Sequence, residues 1–464
     1  MCNVPRDSLS SEKELSVRNA LFLRISGAIL LSFHLSAYAF DNGPTWFGFN
    51  YTLNTSGART LGMGGAAVAS VDDASATLAN PAALVRLSKT EFRFDSNYRH
   101  LDDISYPGAD NLGTGESIRL GLDIDETNQI DPALMALAAP LGDGRTVIGL
   151  FYHELLPYDR FITVTDPLSG GTAETHNVMF DLDEFGFSIA RSLYDGQLAI
   201  GLSASLVTLN MDIKAVQDRT PQPGSFDGLE FTSYGSQTEQ EPIWRFGLLY
   251  SPSKTLAFGV NYTLTPNPDY TMTTANSFAS IDSAQQNGCF GDVNIGVLPD
   301  GTPTGNWICK SSLPIPASIS IGLAYTPNEV WSLAIEATYI DYSRITKELH
   351  APYAYPGGDV TIIQKKGDFE AEAVVEVHLG LEYHSKFKQQ PLSLRAGYYF
   401  DPAHDIEYRG TDSTSQVIYP GGVDVQHLSA GVGMLFRETL LVDLAFDAAD
   451  DDSYQVAISL AYRY

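Results

Sequence analysis

The tightest constraint on this chain is a period-two alternation that runs through most of its length. At the C-terminus, Tyr454, Val456, Ile458, Leu460, Tyr462 and Tyr464 fall on one face, and Ser453, Gln455, Ala457, Ser459, Ala461 and Arg463 on the other. Successive side chains point to opposite faces in a strand and not in a helix. Leu256, Phe258, Val260 and Tyr262 oppose Ala257, Gly259, Asn261 and Thr263, and Ile319, Ile321, Leu323 and Tyr325 oppose Ser318, Ser320, Gly322 and Ala324. Val375, Val377, Leu379, Leu381 and Tyr383 oppose Glu376, His378, Gly380 and Glu382. Fourteen strands are predicted, starting near Lys89, Asp131, Gly144, Asn177, Gly196, Glu241, Lys254, Pro314, Glu329, Glu372, Pro391, Asp424, Glu438 and Ser453.

Their connections alternate in length. Short turns are predicted at 142–144, 194–196, 251–253, 326–328, 385–390 and 437–438. Long loops are predicted near 101–130, 156–176, 212–240, 265–313, 343–370 and 401–423, with a shorter acidic one at 447–452. An even number of antiparallel strands with every long loop at one end is the pattern of an outer-membrane β-barrel, apolar outside and polar within. Closing the sheet gives every backbone N–H and C=O a partner in hydrocarbon. Tyr250, Tyr262, Tyr325, Trp331, Tyr339, Tyr383 and Tyr398 lie near strand ends, where aromatic rings form the interfacial girdles. The fold class expected is therefore all-β, a transmembrane antiparallel barrel over 89–464 in the outer membrane of a Gram-negative bacterium.

Composition agrees. The chain is 44% apolar and 18% charged, too polar for a polytopic helical membrane protein and poorer in charge than ordinary soluble enzymes. Its net charge of −28 repels phosphate backbones, so no nucleic-acid partner is expected. Residues 1–39 read as a secretory signal: Arg18 and Arg24 flank the apolar run at Ala28–Leu31 and Phe33, and Ala37-Tyr38-Ala39 supplies the cleavage pattern. Cys2 would leave with it. Cys289 and Cys309 then remain as one pair in an oxidising compartment, and a disulfide between them would stabilise by ~3 kcal/mol.

Residues 40–88 do not alternate. Gly57–Ala67 is rich in small residues, followed by Asp72-Asp73-Ala74 and Asn80-Pro81-Ala82. A phosphate loop would need a preceding strand and a following Lys-Ser/Thr, and neither is present. Small residues allow close backbone packing in a confined space, and a fourteen-stranded barrel is wide enough to need a plug. This segment, with Gly62, Gly64, Gly65, Asn80, Pro81 and Ala82, resembles the N-terminal hatch of the FadL/TodX family of outer-membrane transporters. Leu394–Tyr398, Gly431-Val432-Gly433, Val442–Phe446 and the last strand are similar too; Ala83 departs, where the family often has Gly.

The resemblance implies passive uptake of hydrophobic compounds, long-chain fatty acids or aromatic hydrocarbons, by diffusion past a rearranging hatch with sideways exit through the wall. Phe290, Trp307 and Ile308 are the candidate capture residues in the outer loops. Arg245 and Arg395, lumen-facing by alternation along with Glu336, Glu376, His378, Glu382, Asp443 and Arg463, are candidates for a ligand carboxylate. Pro157, which cannot donate to a ladder, is the candidate wall interruption, ending the third strand. The expected partners are hydrophobic small molecules and outer-membrane lipid, and the protein is expected to be a monomer. Lumen polarity accounts for His378, His427 and Ser429, so no enzyme, catalytic residue, cofactor or metal is expected. The alternative function is a structural or secretion-associated barrel that binds a protein.

Overall fold

The computed structural model describes residues 57–102, 104–106, 121–166, 172–217, 230–237, 240–275, 289–297, 303–347, 353–354, 360–361, 367–411, 419 and 421–464. The chain separates into two compact units, Met1–Ala39 and Phe40–Tyr464. The first, where the signal is expected, lies outside the described residues, as does the start of the expected hatch.

Fourteen strands form one closed antiparallel barrel. They are β1 (Glu91–Leu101), β2 (Thr127–Pro140), β3 (Thr146–Asp166), β4 (Thr172–Leu193), β5 (Leu198–Gln217), β6 (Glu241–Ser253) and β7 (Leu256–Leu264). There follow β8 (Ser318–Tyr325), β9 (Trp331–Ile340), β10 (Val374–Phe387), β11 (Gln390–Asp401), β12 (Val425–Phe436), β13 (Leu440–Ala449) and β14 (Tyr454–Arg463). Each pairs with the next, and β14 returns to β1 from Glu91↔Arg463 to His100↔Tyr454, which closes the ring.

Every predicted start falls within a few residues of a strand, because alternation is dictated on both faces. Ile458, Leu460 and Tyr462 are 41–45% exposed on the outside, while Ala457, Ser459 and Ala461 between them are buried. The seven predicted aromatics divide into two levels. Tyr250, Tyr325, Trp331 and Tyr383 lie toward the short-turn end of their strands, and Tyr262, Tyr339 and Tyr398 toward the long-loop end.

The long-loop end departs from expectation. The loop predicted at 156–176 is mostly strand: β3 and β4 stay paired out to Asp166↔Thr172. β3, β4 and β5 run 21, 22 and 20 residues, whereas ~9–11 cross a bilayer, so about ten residues of each project beyond it. Side chains there keep polar–apolar alternation only weakly, so a projecting sheet resembles a polar loop in sequence. The predicted 265–313 loop also contains strands, Asp269–Ala275, Cys289–Val297 and Pro303–Ser312, which extend this sheet from β5 through Glu230–Gln237.

Residues 57–90 lie against inward-facing side chains of the strands. They form two short helices, Ala58–Gly62 and Ala76–Ala79, and a 3₁₀ turn at Pro81–Arg86.

Candidate functional site

The inner surface is layered, and β4, β5 and β6 show how. Read from the short-turn end, their inward residues are Ala190, Ser188, Gly186, Glu184 and Leu182; then Ala199, Gly201, Ser203, Ser205, Val207 and Leu209; then Leu249, Gly247, Arg245 and Ile243. On β4 and β5 small residues come first, then polar groups, then aliphatic ones; on β6 Leu249 precedes Gly247, Arg245 and Ile243.

The 57–90 segment occupies the layer of small residues. Wall glycines that face each other across the ladder, Gly201↔Gly247, Gly259↔Gly322 and Gly380↔Gly397, act as seats for it. A Cβ on Gly247 would meet Asn80 Oδ1, with Ala82 N at 2.7 Å and Pro81 Cδ at 2.9 Å; one on Gly380 would meet Met63 O at 2.7 Å. Here the segment's backbone touches the wall's backbone, which only paired glycines permit. The Asn-Pro-Ala element now has a mechanism. Asn80 is fully buried and its Oδ1 accepts from Ala82 N, capping the 3₁₀ turn, while Pro81 sits at the turn's first position. Asn80 Nδ2 donates to Val68 O at 2.7 Å and to Leu248 O of β6 at 3.1 Å, tying the segment to the wall. Gly64, at φ +60°, lies so close to β10 and β11 that a Cβ would stand 2.6 Å from Tyr398 N and 2.8 Å from Leu379 O.

Carboxylates and cations of the wall hold the same segment. Glu336 accepts from Ala67 N and Val68 N, both at 2.8 Å, and Glu91 from Ala74 N at 2.8 Å. His378 Nδ1 donates to Gly64 O at 2.8 Å. Ser459 Oγ accepts from Ala58 N, and Ser429 Oγ from Gly64 N. Arg93 of β1, fully buried, pairs with Asp73 and Asp95 at 2.9 Å each. Arg59 pairs with Glu382 of β10 at 3.0 Å and with Asp72 at 2.8 Å. Sequence pattern alone does not single out Arg59, Asp73, Arg93 and Glu184. It does place the wall residues: Arg93 and Asp95 alternate with Phe92 and Phe94 as lumen residues must. Between the segment and the short turns lies a polar recess of about 610 Å³, lined by Arg59, Asp72, Arg86, Lys254, Glu382 and His384 among others.

The two candidate arginines are engaged by carboxylates. Arg395 meets Glu382 at 2.8 Å and Asp443 at 2.6 Å. Arg245 meets both oxygens of Glu184, which also accepts from Ser205 and from His153 Nδ1 at 2.8 Å. Buried charges are tolerable only when paired in this way.

Beyond the polar layer, the outer half of β3–β6 carries an apolar cluster. Leu155, Leu156, Tyr158, Val178, Leu182, Val207, Leu209 and Ile243 of β3–β6, with Ile340 of β9 and Val374 of β10, pack with Leu313, Ile315, Tyr342, Ile345, Phe369, Ile406, Tyr408 and Tyr419. At its margin His404 stacks on Tyr342 (4.2 Å) with Nδ1 3.3 Å from Asp401. Burial pushes the imidazole pKa down, but the Asp401 carboxylate more than offsets this and holds it at about 9.

Pro157 does not end β3 as expected, since the strand runs on to Asp166, but it falls inside the stretch that has lost its β2 partner. It remains paired, Pro157↔Asp181, on the β4 side. The irregularity lies on the other side. The β2–β3 ladder stops at Leu134↔His153. There β3 carries an extra residue, Leu155, against β4, and β2 an extra residue at Pro132–Ala133 against β1. Past that point β2 stays paired with β1 and β3 with β4, but residues 127–133 and 154–161 do not pair with each other. Pairing on β3 resumes at Ile124↔Ile162 with the Gly121–Ile124 strand. Side chains bridge the gap: Arg99 Nη2, itself on Asp131, donates to Pro157 O at 3.4 Å, and Thr127 Oγ1 donates to Asp159 O at 3.1 Å. Leu134, Leu155 and Leu156 at its margins are buried.

Phe290, Trp307 and Ile308 lie on projecting strands, with Phe290 opposite Ile308; their side chains fall outside the described residues. Cys289 and Cys309 are opposite each other in the same register.

A closed fourteen-stranded barrel with a small-residue segment seated on its inner wall is now in view. The profile of the outer membrane protein transport family (OMPP1/FadL/TodX) matches residues 48–458. The chain belongs to this family. It is accordingly a Gram-negative outer-membrane channel for hydrophobic compounds, and the family consists of transport channels rather than enzymes. No curated protein matches the chain. Among solved structures, a Pseudomonas aeruginosa FadL homologue is 15% identical, with TM-score 0.58 over 89% of this chain and 99% of its own. The Pseudomonas putida toluene transporter TodX is 14% identical (TM-score 0.55, 88% and 98%), and the Ralstonia pickettii toluene transporter TbuX 15% (0.53, 88% and 98%). At such identity the likeness speaks for the fold.

Proposed function

We propose that this FadL/TodX-family channel takes up long-chain fatty acids or aromatic hydrocarbons passively and releases them sideways, between β2 and β3, into the outer leaflet of the membrane. The observation that carries the reading is the unpaired stretch of wall at 127–133 and 154–161, which adjoins the apolar cluster through Leu155 and Leu156. An apolar solute moving from that cluster through this gap never has to enter water, so its transfer carries no hydration cost. Capture falls to the projecting sheet with Phe290, Trp307 and Ile308. A disulfide between Cys289 and Cys309, which face each other across the ladder, restrains that sheet.

Residues 40–88 act as the hatch, closing the bore toward the periplasm, after residues 1–39 have been removed as a signal. The protein works as a monomer and catalyses no reaction. Arg245 and Arg395, already neutralised by carboxylates, support the lumen rather than bind a ligand carboxylate, unless the cargo displaces Glu184 or Glu382.

Deleting Leu155 tests the route. It removes the extra residue of the bulge and lets the β2–β3 ladder extend past His153. Cells carrying the deletion should assemble a heat-modifiable barrel yet lose uptake of labelled oleate and toluene. Unchanged uptake through an assembled deletion variant would sink the sideways route, and absent uptake by the wild type of either class would sink the cargo assignment.

A further inference from the structure

Outside the lumen, three side chains at the long-loop rim stand in an arrangement that the transport reading does not use. His100 at the end of β1, Asp102 just after it and Glu126 just before β2 bring one imidazole nitrogen and two carboxylate oxygens within 4.8 Å of one another. His100 follows Phe92 and Phe94 on the outward face of β1, so the cluster belongs to the outer rim and not to the bore. Among the described residues no hydrogen bond or ion pair joins the three directly, and no Lys or Arg pairs with either carboxylate.

The imidazole is oriented from behind. Its Nδ1 donates to Asn128 Oδ1 at 2.9 Å, and the same oxygen accepts from Tyr98 OH at 2.7 Å. With Nδ1 carrying the proton, Nε2 keeps its lone pair, which is the tautomer a metal ligand requires. The ring plane is set by stacking on Tyr454 at 4.7 Å and 25°. A lone, solvent-facing histidine would need neither restraint. The surrounding field favours a cation as well. Asp123 and Asp125 lie in the same stretch as Glu126, and Asp450, Asp451 and Asp452 lie just before the strand that carries Tyr454. Such a concentration of one sign raises the local concentration of divalent ions.

We propose that His100, Asp102 and Glu126 form a binding site for a first-row divalent transition metal, with Zn²⁺ the natural occupant. An imidazole with two carboxylates suits Zn²⁺ over Ca²⁺ or Mg²⁺, which take oxygen ligands alone. Donors each about 2.1 Å from one Zn²⁺ stand about 3.4 Å apart at the tetrahedral angle, so a modest closing of the present triangle completes the site and leaves one position for solvent or a lipid oxygen. The ion would join the outer end of β1 to the start of β2. This is the strand whose other edge has lost its β3 partner, so the site braces the wall beside the gap from the side opposite β3.

The test uses the full mature protein, purified in detergent without a polyhistidine tag and stripped with chelator. Titration with Zn²⁺ should show about one ion bound per chain, and Co²⁺ should give the visible d–d absorption of a site with a nitrogen ligand. His100→Ala and Asp102→Asn should each weaken Zn²⁺ binding at least about tenfold. Asn128→Ala, which removes the acceptor shared by the His100 ring and the Tyr98 hydroxyl but no metal ligand, should weaken it by roughly 10- to 100-fold with the Co²⁺ spectrum altered. Circular dichroism and heat modifiability confirm that each variant is assembled. The proposal is overturned if the wild type binds no stoichiometric Zn²⁺, or if His100→Ala binds it as tightly. It is equally overturned if Ca²⁺ competes on equal terms, since that describes general attraction to an acidic rim.

Discussion

Replacing Gly64 by alanine isolates what seats the 57–90 segment. Gly64 has φ +60°, and its added methyl would lie 2.6 Å from Tyr398 N, 2.8 Å from Leu379 O and 2.8 Å from Tyr398 O. Ordinary contact begins at 3.4 Å, so the segment must withdraw by about 0.6–0.8 Å from backbone atoms that belong to the closed ladder and cannot yield. Two terms add. The left-handed conformation costs an alanine ~1 kcal/mol, and forcing a methyl into a packed site costs ~1–3 kcal/mol. The sum, ~3 kcal/mol, acts on the 57–90 segment and not on the barrel, and raises the fraction of molecules with that segment unseated by about 150-fold.

Gly144 provides the control. Its φ is +64°, nearly the same, but a Cβ there meets nothing within 4 Å. Gly144→Ala therefore carries the left-handed cost alone, and in a turn that does not touch the hatch. Amide hydrogen exchange should separate the two variants. In Gly64→Ala the amides of Ala67, Val68 and Ala74, bonded to Glu336 and Glu91, should exchange about a hundredfold faster. In Gly144→Ala they should match the wild type, and barrel melting should change little in either. Equal protection of those amides in Gly64→Ala and wild type would refute the claim that backbone-to-backbone seating holds this segment.

Three other outcomes follow from the same contacts. Arg93→Met leaves Asp73 and Asp95 buried without their cation and should destabilise the hatch by ~3–5 kcal/mol, read as protease sensitivity within residues 57–90 while the barrel stays resistant. His404 has its pKa raised from 6.5 to about 9, so its charged pairing with Asp401 stabilises fully below pH 6.5 and is lost as pH rises through about 9; His404→Gln should melt below the wild type at about pH 6 and together with it at about pH 10. Cys309→Ser should lower the melting temperature by the equivalent of ~3 kcal/mol under oxidising conditions and change nothing in reductant, and an equal loss in both would rule out the disulfide.

Much of this molecule is written in a period of two. The alternation of Ile458, Leu460 and Tyr462 with Ala457, Ser459 and Ala461 determines strand, face and solvent together, because lipid on one side and a confined bore on the other leave no other assignment. Strand number, the direction of every turn and the lumen placement of Arg245, Glu336, Glu382, Arg395 and Asp443 follow from it. The Gly-rich stretch and Asn80-Pro81-Ala82 likewise declare a tightly packed segment, since small residues have few other uses in such a place.

What the alternation does not carry is which strands meet which loop. That β3 continues through Pro157 while its ladder to β2 fails depends on two bulges, Leu155 on one strand and Pro132–Ala133 on its neighbour, arriving at the same height. Each is a single added residue, invisible until the strands are in register. The glycine seats are of the same kind: Gly201, Gly247, Gly259, Gly322, Gly380 and Gly397 are scattered in the chain and become pairs only across the ladder. Pairing of Arg93 with Asp73, or Arg59 with Glu382, spans elements that no local pattern relates. Local chemistry chose the barrel; long-range register decided where its ladder breaks and what packs inside it.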